Sequence, residues 1–93
     1  MTMIEVSDIL AGDADVARGL IARAADVALS TGARAAASGA KRTGDLETWS
    51  FQRIEDVESL LALLADCRRH LHADHGGIHS VDRLIAKLTA ALL

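Results

Sequence analysis

Proline and tyrosine are absent from these 93 residues, and tryptophan, phenylalanine and cysteine occur once each. Without proline no segment is broken by a fixed φ, so punctuation falls to the seven glycines. A single cysteine, Cys67, excludes an internal disulfide framework and suits a reducing compartment. No run reaches the ~20 consecutive apolar residues of a membrane span, so no membrane partner is expected. Residues 1–10 lack a basic region followed by an apolar run, which predicts a soluble, non-secreted protein.

The scarcity of bulky side chains qualifies the hydrophobic content of 51%. Alanine fills 18 positions, and alanine adds little area to a core. A chain so short on large anchors is expected to bury surface against protein partners, including copies of itself. The formal net charge of −3 argues against a free-standing nucleic-acid binder. Segment 34–53 departs from that balance, with Arg34, Lys41, Arg42 and Arg53 against Asp45 and Glu47.

Periodicity predicts a helix over about 13–31. Asp13 stands as N-cap, Asp15 lies in the first turn and Gly32 is the stop. Val16, Ala17, Leu20, Ile21, Ala24, Val27 and Ala28 share one arc, with Arg18 and Arg23 opposite. A short turn using Ile9 and Leu10 precedes it. Residues 46–52 alternate, Trp49 and Phe51 on one side and Thr48, Ser50 and Gln52 on the other, as a strand does. The partner strand falls at 33–38 across the loop 39–44, and a continuation of helix into 33–38 competes with it because alanine is a poor strand former.

A third segment, about 53–72, is helical, with Ile54, Val57, Leu60, Leu61, Leu64 and Leu71 as its apolar stripe. Acidic residues crowd its start and basic residues its end, as the helix dipole favours. After Gly76-Gly77 a last helix spans about 80–93, capped by Ser80, with Val81, Leu84, Ile85, Leu88 and Leu92 in line. The fold class expected is mainly α (α+β), one domain over 1–93: helix, small β-hairpin, helix and an added C-terminal helix. An all-α three-helix bundle, with 33–52 as a loop, is the alternative.

Six ligand-type residues, Cys67, His70, His72, Asp74, His75 and His79, fall within thirteen positions. On a continuous helix Cys67, His70 and Asp74 would share a face. Their spacing matches no recognised zinc site, and Gly76-Gly77 separates His79 from the rest. Histidines favoured at a helix C-terminus are the simpler reading, and no cofactor is expected. No nucleophile elbow or phosphate-binding loop is present, and the paired acids sit at helix starts where capping explains them. Neither a catalytic residue nor a small-molecule substrate is therefore expected. Binding residues are sought instead among Trp49, Phe51, Leu84, Leu88 and Leu92, and at Arg68, a cation on an apolar arc that could pair with an acid on a neighbour.

Leu29-Ser30-Thr31-Gly32 closing a helix, Trp49-Ser50-Phe51 in a hairpin, and Arg53-Ile54-Glu55-Asp56-Val57 opening the next helix, followed by Leu60, Leu61 and Leu64, resemble the gpW family. These are small head-completion proteins of long-tailed phages and prophages. The likeness covers about residues 13–66, and the helix at 80–93 has no counterpart in the minimal family member. The resemblance implies a head-tail connector: a ring of subunits beneath the portal, acting by protein–protein contacts in the virion or the host cytoplasm. It also implies that Lys41 and Arg42, at the hairpin tip, face DNA or the portal, and that the last helix makes an inter-subunit contact. A small phage- or bacterium-encoded regulatory or inhibitory protein with one protein target is the competing reading. A small His/Cys metal-binding protein using Cys67, His70, Asp74 and His75 is the third.

Overall fold

The alternation at 46–52 does produce a strand, and that strand is the centre of the molecule. In a computed structural model, residues 3–24, 29–71 and 76–93 are described. Their elements run β1 (Ile4–Leu10), α1 (Ala11–Arg23), α2 (Thr31–Ser38), β2 (Lys41–Thr43), β3 (Leu46–Phe51), α3 (Ile54–His70) and α4 (Ile78–Ala91). The class is mainly helical α+β: four helices and one antiparallel sheet of order β1-β3-β2 among the described residues.

β1 was not expected. Its inward residues Ile4, Val6 and Ile9 break the period of two, because two residues, Ser7 and Asp8, stand opposite Thr48 alone. This is a β-bulge, and Asp8 takes φ 60° within it. The extra residue restores phase, so that Ile9 again faces the core while Leu10 faces outward.

The expected strand at 33–38 is instead helix α2. Thr31-Gly32-Ala33-Arg34-Ala35-Ala36-Ala37-Ser38 combines high helix propensity with a side-chain cap: Ser30 Oγ accepts from the Ala33 N–H at 3.1 Å. Gly32 is therefore no helix stop, but a first-turn residue of α2. A Cβ there would come within 2.1 Å of the Asp56 carboxylate, so only glycine lets α2 approach α3 this closely. The helix expected over 13–31 ends at Arg23; Val27 and Ala28 lie outside the described residues.

The hairpin is correspondingly tighter than expected. β2 pairs Lys41 with Thr48, Arg42 with Glu47 and Thr43 with Leu46, around the two-residue turn Gly44-Asp45. Gly44 supplies the positive φ, 62°, that such a turn requires. Lys41 and Arg42 thus sit in the strand and not at the tip. The turn is tied down where the Ala11 N–H donates to the Asp45 carbonyl at 2.8 Å.

All four helices contribute to one core on one side of the sheet. Trp49, Phe51, Val57, Leu60, Leu64 and Leu88 are fully buried within it. α4 begins two residues earlier than expected, so Ser80 lies inside the helix, buried, and not at its cap. Asp13 likewise is not the cap of α1, which starts at Ala11. It is a buried first-turn residue whose carboxylate accepts from Arg83 of α4 at 2.8 and 2.9 Å. Ile54, expected in the apolar stripe of α3, is 54% exposed because the chain turns into α3 at the rim of the core.

Candidate interaction surface

The two faces of β3 carry different chemistry. On the inner face Glu47 is 2% exposed, beneath α1 and beside Trp49. Burial of a carboxylate is costly unless charge and hydrogen bonds compensate, and here five N–H donors do so. Arg18 of α1 bridges both Glu47 oxygens through its two terminal nitrogens. Arg42 of β2 donates to Oε2 at 2.6 and 3.1 Å, and the Trp49 indole N–H donates to Oε1 at 3.2 Å. The Arg18 guanidinium holds the Glu47 carboxyl down at about 2, against the opposing effect of burial. Arg18 also lies 5.5 Å from the centre of the Trp49 ring and donates to the Ala37 carbonyl of α2 at 3.1 Å. Periodicity had placed Arg18 on the wet side of its helix. The sheet beneath that side brings it into the fold.

Two further carboxylates are buried, and both are engaged. Asp13 pairs with Arg83, which lowers its pKa. Asp56 accepts from Ser30 Oγ at 2.9 Å and from Arg53 at 3.3 Å. No buried side-chain polar atom among the described residues lacks a hydrogen-bond partner. Fixed by such partners, these carboxylates join elements that are distant along the chain.

The outer face of the sheet is open. Leu46, Thr48 and Ser50 of β3 point away from the core, flanked by Glu5 and Leu10 on β1 and by Lys41 and Thr43 on β2. Of the five exposed large apolar side chains among the described residues, Leu10 and Leu46 form one cross-strand pair there. Alternation along β1 puts a third, Met3, on the same face. Beside it, where β2 stops short of Ser50, lies a groove of about 510 Å³ lined by Thr31, Ala35, Gly39, Ser50, Gln52 and Arg53.

Several expected binding residues lie elsewhere. Trp49, Phe51, Leu84 and Leu88 are at most 1% exposed, because the sheet and α4 close over one another, so none is a surface anchor. Leu92 is half-buried against the same core. Arg68 pairs with Asp82 of α4, within its own chain and not on a neighbour. Of the two cations assigned to DNA or the portal, Arg42 is held by Glu47, while Lys41 has no ion-pair partner among the described residues. Of the metal candidates, Asp74 and His75 lie outside the described residues. Cys67 is half-buried, its thiol pushed up by burial, and His70 is exposed one turn on beside Asp66. No group of three or more metal-ligating side chains occurs among the described residues. No described helix is long and apolar enough to cross a membrane.

Against known proteins the chain matches no family model, no curated protein and no solved structure.

Proposed function

We propose that this chain is a non-enzymatic structural subunit that works through protein–protein contacts, as a connector of a phage or prophage neck assembling below the portal. The observation that carries the binding half of this reading is the division of labour across β3. Buried ionisable groups are engaged in internal pairs, while exposed apolar side chains gather on the uncovered side of the sheet. The connector half draws its support from the succession helix, two-stranded hairpin, helix in α1, β2–β3 and α3, which resembles the gpW arrangement. The strand β1, the helix α2 between α1 and the hairpin, and α4 are additions to that arrangement.

Electron microscopy of the purified chain mixed with the portal ring from the same replicon tests the reading. Added density of defined rotational symmetry below the portal is the expected result. A stoichiometric complex with one soluble protein, and no density on the portal, would replace the connector with the inhibitor reading.

A further inference from the structure

A sheet face that no helix among the described residues covers has to meet water or another surface, and the pattern of charge on this one is self-complementary. Its central strand presents only Leu46, Thr48 and Ser50, all uncharged. Glu5 stands on one edge strand, level with Ser50, with exposed Asp8 in the bulge opposite Thr48, and Lys41 stands on the other edge strand, level with Thr48. None of these three charges has an ion-pair partner among the described residues. Met3, Leu10 and Leu46, exposed by 51%, 44% and 38%, lie on the same face.

From this we infer that the open face packs against the same face of a second copy, about a twofold axis running parallel to β3. The inference rests on the reading that the chain acts by protein contacts and names the first partner as the chain itself. A twofold axis in that direction lays β1 of one copy over β2 of the other. Each Lys41 then lies level with the partner's Asp8, and the partner's Glu5 is about two residues, or ~7 Å, further along the strands and within reach of the lysine stem across sheets ~10 Å apart. Leu46 meets Leu46, and each Leu10 meets the partner's Thr43. An axis perpendicular to the strands would instead set β1 over β1, acids over acids, and leave Lys41 without an opposite charge.

The face is narrow, three strands wide, so the contact is expected to bury less than the ~800 Å² per partner of a standard interface. The dimer is therefore expected to exchange with monomer at micromolar or higher concentration. The bulge at Ser7-Asp8 keeps β1 from offering a regular edge for strand addition, and β2, the other edge, is only three residues long.

Sedimentation equilibrium of the full chain between about 10 µM and about 1 mM is the test, with a melting curve for each variant to confirm folding. The wild type is expected to move from monomer to dimer across that range. Glu5→Lys alone and Lys41→Glu alone each bring like charges together, and each is expected to weaken association at least about tenfold. The double variant Glu5→Lys/Lys41→Glu restores the opposite pairing and is expected to recover dimerisation. A wild type that stays monomeric throughout, or a double variant no better than the singles, overturns the inference. A face occupied by a different protein would give the first of those results. Ring formation on a portal by a monomeric chain would overturn the dimer and leave the connector reading standing; a dimer that ignores the portal would do the reverse.

Discussion

β3 shows two regions of one strand separated only by the side on which each residue falls. Glu47, Trp49 and Phe51 look inward and are at most 2% exposed; Leu46, Thr48 and Ser50 look outward and are not buried. The inward set contains the largest side chain and a buried acid of the sheet, and the outward set contains small or unpartnered ones. Along a strand, neighbours in sequence can thus belong to different physical problems. Inside, shape and hydrogen bonding must be satisfied by the chain's own residues. Outside, they are left for water or a partner.

The contrast is sharpest for Trp49. Trp49→Ala opens the core between α1 and the sheet and removes the platform of Arg18, so a loss of about 3–5 kcal/mol is expected in urea denaturation. Next comes Glu47→Gln, which keeps the shape but leaves Arg18 and Arg42 facing a neutral amide. Its expected cost is about 2–3 kcal/mol near neutral pH. Because the folded-state pKa of Glu47 is depressed, from 4.5 to about 2, its contribution is fully present above about pH 4.5. It fades as pH falls toward 2. Melting temperatures of wild type and Glu47→Gln should therefore converge over that interval. A constant gap would show that the carboxylate's charge is not what joins α1 to the hairpin.

Gly32→Ala probes another close approach on the inner side. The new methyl overlaps the Asp56 carboxylate, which must leave its place beside Ser30, at an expected cost of about 2 kcal/mol. The smallest effect is expected from the outer face: Leu46→Thr should alter monomer stability by no more than about 0.5 kcal/mol in dilute solution. A large loss there would mean that the outer face is part of the fold and would erase the contrast.

Legibility of the fold followed the length and regularity of each pattern. α3 and α4 announce themselves by apolar stripes that the structure buries at Val57, Leu60, Leu64, Val81, Leu84 and Leu88. β3 was readable because its alternation is unbroken and carries both aromatics. β1 was hidden by one inserted residue, since a bulge shifts the phase that a reader of alternation relies on. α2 was misread as a strand because an alanine run has no face, leaving only propensity and the Ser30 cap to speak for a helix. The interface candidates were chosen for being large and apolar, which is also what a core selects, and the core took nearly all of them. The open sheet face would have been readable only with β1 in place, because Met3, Glu5 and Leu10 join Leu46 and Lys41 through strand pairing.

The chain order of the residues determined the mainly helical class, the strand carrying Trp49 and Phe51 and the two long amphipathic helices, because each is written in contacts a few residues apart. Tertiary structure alone decided the partners of the buried charges. Arg18 with Glu47 is separated by 29 positions and Asp13 with Arg83 by 70. Such pairs form only when hydrophobic burial has already brought the elements together, and the same packing settled which side of the sheet was left uncovered.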